Sequence, residues 1–181
     1  AAPALGVLGP GGRGLAAAVG VRPDVLVGTL GKSFGVAGAF VAGSDELVSL
    51  IRNRARSFVY STAPPPLMAR AASAAIPLVE GANEARRQLL DHAARLRAEL
   101  RALGFDVPHG ESQILPVLIG DNDRTMRLSA KLLDRGVFVQ GIRPPTVPVG
   151  TARLRLTPMA THRPEHIDRA LAAFAALAQD E

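Results

Sequence analysis

The stretch Asp24–Gly38, DVLVGTLGKSFGVAG, constrains this chain more than any other. Val25–Val27 is a short apolar run that reads as a buried strand breaking at Gly28, and Ala37–Ala42 supplies a second run. Lys32 is thereby placed on a turn flanked by Gly31 and Gly35, between two buried strands. Desolvation disfavours an ammonium in such a place, and that is how a lysine becomes a Schiff-base nucleophile. Of the 21 lysines and arginines only Lys32 and Lys131 are lysines. A chain that otherwise uses arginine therefore has an amine here, where only an amine can form an imine. An ordinary surface-loop lysine is the competing reading of the isolated pattern. A phosphate-binding P-loop is excluded: Gly31-Lys32-Ser33 matches its last three positions, but the glycine required five residues earlier is Leu26.

Gly9, Gly11 and Gly14 have the spacing of a dinucleotide-binding turn. No acidic residue occurs between Asp24 and Asp45 to meet a ribose, so this segment reads as a flexible loop. Ser44 is placed to cap a helix with Asp45 and Glu46 in its first turn, running to about Arg54. Ser57–Tyr60 reads as a short strand, and Pro64–Pro66 delays the next helix, which continues over Leu67–Val79. Gly81 marks a boundary between two expected domains, residues 1–81 and 82–181.

Past that boundary Leu89, Ala93, Leu96, Leu100 and Leu103 form the stripe of a long amphipathic helix closed by Gly104. Ile114–Ile119 is a strand, Asp121 or Asp123 caps a helix reaching Arg135, and Gly136 stops it. Val137–Gly141 and Arg153–Thr157 are strands on either side of a proline-stiffened loop, Arg143–Gly150. A last helix over about Pro164–Ala178 turns Ile167, Leu171, Phe174 and Leu177 inward. Strands alternating with helices predict a small α/β domain.

Composition narrows the chemistry. At 181 residues the chain can hold one or two small domains, and 48% hydrophobic with 20% charged residues is ordinary for a globular protein. No apolar run approaches the ~20 residues of a membrane span, and no secretion signal is legible. The absence of cysteine excludes disulfides and thiolate metal sites and suits a cytoplasmic, reducing setting. His92, His109, His162 and His166 lack metal-ligand spacing, so no metal is expected. A net charge of +5 raises nucleic-acid binding, yet the arginines are spread over several helices with few aromatics between them. Solvated helix faces, with some preference for an anionic substrate, are the expected outcome.

Three segments fall together: TLGKSFGVAGA (Thr29–Ala39), YSTAPPP (Tyr60–Pro66) and IRPPTVPVGTARLRLTP (Ile142–Pro158). In this order and at these intervals they resemble the α-oxoamine synthases, pyridoxal-5'-phosphate enzymes of the aspartate-aminotransferase fold (fold type I). The IRPPTVP…GTARLRL form is most similar to the biotin-pathway branch, which condenses L-alanine with pimeloyl-CoA or a pimeloyl carrier protein and loses carbon dioxide. The 5-aminolevulinate and glycine acetyltransferase branches are the alternatives. The opening GVLGPGGRG resembles the loop just past the family's cofactor-ring block.

That resemblance implies an α/β fold holding the end of the large cofactor domain plus the small C-terminal domain. It implies that Lys32 holds pyridoxal phosphate as a Schiff base and later moves the substrate's α-proton. Thr29 would donate to the cofactor phosphate, and Ser61 and Thr62 would reach a phosphate of the partner subunit in a homodimer. Arg155 would clamp the amino-acid carboxylate, with Arg153, on the same strand face, as the competing candidate. A solvated strand face is the plain alternative for both. Thr146 matches a substrate-contacting position, and Arg143 would meet the far carboxylate of a pimeloyl chain.

The abrupt apolar start without an initiator methionine predicts a C-terminal fragment. By the resemblance, an Asp-Glu-Ala-His block should lie at the start. Its aspartate falls before residue 1, Ala1 and Ala2 follow, and Pro3 takes the place of the histidine. The expectation is little or no synthase activity for this polypeptide alone, poor solubility, or a role as a non-catalytic remnant or dimerisation partner.

Overall fold

The computed structural model describes residues 5–179, so the Pro3 reading lies outside the described residues. Contacts divide the chain into two compact units, residues 1–86 and 87–181.

The first unit opens with a 3-10 turn over Pro10–Gly12 and a short helix, α1 (Leu15–Ala18). The glycine segment is a tied turn and not the loose loop expected from sequence. Gly6 N–H donates to Gly12 O at 2.7 Å and Gly14 N–H to Leu8 O at 2.7 Å. Strands β1 (Leu26–Thr29) and β2 (Ala39–Ala42) follow as an antiparallel pair, with Gly28 opposite Phe40. β1 does not break at Gly28. A Cβ there would overlap the Phe40 ring, so glycine permits the close approach of the two strands.

The strands are also not buried: Val27 is 51% exposed and Val41 40%. A two-stranded ribbon has no second layer of its own to cover its faces. Helix α2 (Asp45–Arg54) is capped as expected, Ser44 Oγ accepting from Leu47 N–H at 3.3 Å.

Residues Arg56–Val59 form a helical turn, α3, where a strand is expected from sequence. With no strand paired to them among the described residues, their amides bond locally: Val59 N–H to Ala55 O at 2.9 Å and Tyr60 N–H to Arg56 O at 3.0 Å. Helix α4 (Pro66–Gly81) follows and lies wholly within the first unit. Arg86 closes it, donating to the carbonyls of Val79 and Glu80, the first of which also accepts from Ala82 N–H at 3.3 Å.

The second unit carries the larger core. Helix α5 (Asn83–Ala102) buries Leu89, Ala93, Leu96 and Leu100. It ends at Gly104 (φ +90°), where Phe105 N–H donates to Leu100 O at 3.0 Å and Gly104 N–H to Arg101 O at 2.9 Å, a Schellman closure. β3 (Leu115–Gly120) leads into α6 (Asn122–Asp134), whose cap is Asp121, accepting from Arg124 N–H at 2.7 Å.

The expected strand Val137–Gly141 is shorter and later, β4 (Gln140–Ile142). Gly136 and Val137 are used to finish α6, their amides donating to Leu133 O at 2.8 Å and Leu132 O at 2.9 Å. β5 (Ala152–Leu156) lies between β3 and β4, antiparallel to both, and α7 (Pro164–Gln179) completes the unit. Leu100, Leu115, Leu132, Leu154 and Phe174 are fully buried in one cluster, with Phe105 edge-on to Phe174 at 5.2 Å.

Candidate functional site

Lys32 sits at the tip of the turn that joins β1 to β2. Leu30 N–H donates to Gly38 O at 2.9 Å, Val36 N–H to Leu30 O at 3.0 Å and Gly35 N–H to Lys32 O at 3.2 Å. Gly35 (φ +63°) and Gly38 (φ +120°) take the left-handed backbone that the reversal needs. The side chain of Lys32 is exposed. The buried amine expected from sequence is thus corrected: the flanking strands are there, but the first unit does not enclose their turn.

Thr29 ends β1 three residues before Lys32, and its Oγ1 is buried without a hydrogen-bond partner. Among the described residues only Arg97 Nε shares that condition. Buried polar atoms are nearly always paired, so an orphan hydroxyl three residues before an exposed amine marks a place where a ligand acceptor fits.

Ser61 and Thr62 follow α3 and are exposed, Ser61 Oγ donating to Ser57 O at 2.5 Å. They stand after a helical turn and not at a strand end. Tyr60 beside them is 81% exposed.

In the second unit Arg155 and Arg153 share the outward face of β5, while Leu154 and Leu156 point into the core. The two arginines are not equivalent. Arg153 is half-buried and its Nε donates to Thr151 O at 2.9 Å, whereas Arg155 is exposed opposite Gln140 and Pro116. Arg143 and Thr146, both exposed, are the ends of one turn, Thr146 N–H donating to Arg143 O at 3.1 Å. Two hollows, of about 730 Å³ beside Arg22, Asp24 and Leu47 and about 470 Å³ beside Leu96, His162 and His166, contain none of these candidate residues.

Ser33 and Arg86 carry no signal in the sequence that would single them out. Ser33 Oγ donates to Leu5 O at 2.5 Å, and Arg86 donates to three acceptors around the end of α4. Both contacts join residues far apart in the chain or at a helix end, which no local pattern encodes.

Residues 5–174 match Aminotransferase class I and II, and the chain belongs to that family. Within it, the chain is 50% identical over 173 residues to 8-amino-7-oxononanoate synthase of Aeromonas salmonicida (strain A449), covering 94% of this chain and 44% of that protein. It is 48% identical over 179 residues to the synthase of the same name from Geobacter sulfurreducens, covering 97% and 46%.

Among solved structures, serine palmitoyltransferase from S. paucimobilis bound to a PLP–myriocin aldimine superposes with a TM-score of 0.92 at 32% identity. That superposition covers 99% of this chain and 46% of the other. The 8-amino-7-oxononanoate synthase of Francisella tularensis superposes at 0.87 and 26% identity, covering 99% and 53%. The aspartate-aminotransferase-like α/β fold expected from sequence is therefore the fold of this chain. The chain spans under half the length of the curated relatives it matches. No helix among the described residues is long and apolar enough to cross a membrane.

Proposed function

We propose that this chain is the C-terminal part of a pyridoxal-phosphate-dependent acyltransferase. The reaction is condensation of L-alanine with a pimeloyl thioester and loss of carbon dioxide, giving 8-amino-7-oxononanoate for biotin synthesis. The observation that carries this reading is the orphan hydroxyl of Thr29 three residues from the exposed amine of Lys32. These residues fit the cofactor. A phosphate oxygen would give Thr29 Oγ1 its missing partner, and the Lys32 amine can condense with an aldehyde. When bound, pyridoxal phosphate supplies an electron sink that acidifies the α-C–H of an amino acid.

The chain's own residues do the rest. Lys32 Nζ takes up and returns the α-proton, a task for which it must lie within hydrogen-bond reach of that carbon. Arg155 holds the amino-acid carboxylate through two parallel N–H···O bonds, and its guanidinium is the one exposed for the purpose because Arg153 is turned back to Thr151. Thr146 contacts substrate and Arg143, at the other end of the same turn, meets the far carboxylate of the acyl chain. Ser61 and Thr62 reach the phosphate in a second copy, which makes the working assembly a homodimer in the cytoplasm. Residues 1–81 serve as the end of the cofactor domain and 82–181 as the small domain.

Alanine as the amino acid is supported by sequence more than by shape. Identity to the oxononanoate synthases of Aeromonas salmonicida and Geobacter sulfurreducens is 48–50% against 32% to serine palmitoyltransferase, while the synthase of Francisella tularensis is 26% identical and superposes slightly less well than the palmitoyltransferase. By itself this polypeptide has little or no synthase activity.

The test is borohydride trapping with pyridoxal phosphate followed by peptide mapping. Label is expected on Lys32 over Lys131 and is lost in Lys32→Ala. Equal labelling of the two lysines overturns the cofactor reading. Unaided turnover of L-alanine and pimeloyl-CoA overturns the claim of inactivity, and a preference for L-serine overturns the substrate.

A further inference from the structure

The lysine turn has a tether that the proposed function does not use. Ser33, the residue after Lys32, donates its hydroxyl to the carbonyl of Leu5, twenty-eight residues back in the chain. The contact is close enough that a Cβ on Gly6 would overlap the Ser33 side chain. Gly6 is in turn held by its amide bond to Gly12 O at 2.7 Å, and Gly12 lies against Arg86, which is bonded to the end of α4. From Ser33 a continuous line of contacts therefore runs through Leu5, Gly6, Gly12 and Arg86 to a sixteen-residue helix.

The turn needs such an anchor. It has glycine at positions 31, 35 and 38, two of them at positive φ, and glycine loses the most conformational freedom on folding. Its own backbone bonds fix its closure, but they do not fix the direction in which the exposed Lys32 leaves it. A catalytic group displaced by about 1 Å can cost of the order of a hundredfold in rate, so orientation at this point matters.

We propose that Ser33 is a positioning residue for Lys32, clasping the lysine turn to the Leu5–Gly14 segment so that the amine is presented in one direction. This rests on the reading of Lys32 as the cofactor-binding amine. The Ser33 hydroxyl is committed to the Leu5 carbonyl and acts through the backbone of its neighbour.

The experiment compares wild type with Ser33→Ala, Ser33→Thr and Gly6→Ala by two measurements. The first is the ratio of borohydride-trapped pyridoxal phosphate on Lys32 to that on Lys131. The second, without cofactor, is amide hydrogen exchange at Gly35, whose N–H closes the turn onto Lys32 O, with Leu30 and Val36 as fold controls. Ser33→Ala and Gly6→Ala are expected to lower the ratio about tenfold and to speed exchange at Gly35 while the controls stay protected. Ser33→Thr, which keeps the hydroxyl, is expected to restore both.

An unchanged ratio and unchanged Gly35 exchange in Ser33→Ala overturn the proposal. So does collapse of protection at Leu30 and Val36, since Ser33 would then hold the fold and not the amine. Equal labelling of Lys32 and Lys131 in the wild type sinks the cofactor reading instead, and the Gly35 exchange still decides the clasp.

Discussion

Arg86 occupies the space that a Cβ on Gly12 would need: its Nη1 lies 2.9 Å from that position, and the same guanidinium closes the C-terminus of α4. Gly12 also has φ +73°, where an L side chain is strained. Gly12→Ala is expected to destabilise the first unit by about 1–3 kcal/mol, and Arg86→Ala by a similar amount through the hydrogen bonds lost at Val79 O and Glu80 O. Part of the Gly12→Ala cost is steric conflict with Arg86, so the double variant should lose less than the sum. Urea denaturation of the four proteins measures this.

Lys32 is exposed, and its replacement should leave the fold alone. Lys32→Ala is expected to change unfolding free energy by no more than about 0.5 kcal/mol while abolishing pyridoxal-phosphate labelling at that peptide. Peptide mapping and thermal unfolding on one sample separate the two effects.

Neighbouring residues on β5 should behave oppositely. Arg155 is exposed, and Leu154 is 0% exposed beneath it. Arg155→Ala is expected to keep stability within about 0.5 kcal/mol and, under the proposed function, to raise the KM for L-alanine of the full-length protein tenfold or more. Leu154→Ala is expected to cost about 2–5 kcal/mol of stability. Steady-state kinetics and denaturant titration provide the comparison.

His162 gives the second unit a predictable acid sensitivity. Burial first, then the nearby His166 and His92, hold its imidazole below the usual histidine range. Its Nδ1 accepts from Met159 N–H at 3.3 Å, which requires the neutral ring. The unfolded chain takes up this proton near pH 6.5, whereas the folded chain resists it to a lower pH. The contribution is therefore present above about pH 6.5 and declines as pH falls from there toward the depressed folded value. His162→Asn keeps an acceptor and removes the titration. Its stability should vary less between pH 7.5 and 5.5 than that of the wild type, as read by urea midpoints.

Phe174 is fully buried and stacks edge-on against Phe105. Phe174→Ala is expected to cost about 3–5 kcal/mol and to lower the thermal midpoint of the second unit well beyond any surface substitution.

Elements whose cause is local were legible in advance. Ser44 and Asp121 cap their helices because a short polar side chain meets the orphan amides three residues on. Gly104 and Gly136 end theirs because the backbone must turn left-handed there. The stripe from Leu89 to Leu100 and the in-out alternation of Arg153, Leu154 and Arg155 follow from the 3.6 and 2.0 residue periods. Structure departs from local pattern where a segment's partner decides its state. Ser57–Tyr60 has strand-like residues but no strand paired to it among the described residues, so its amides close a helical turn. Val137 has a strand-like side chain, yet its amide is taken by the end of α6.

The order and spacing of residues thus determined which side chains this protein can offer for chemistry: an amine on a glycine turn, a hydroxyl three positions before it, and an arginine opposite the core on a strand. Such features depend on contacts only a few positions apart. Tertiary structure alone decided which of those groups are exposed, tied or left unpaired. The orphan state of Thr29 and the tether from Ser33 to Leu5 each depend on what lies nearby in space, and burial and hydrogen-bond satisfaction are properties of that neighbourhood.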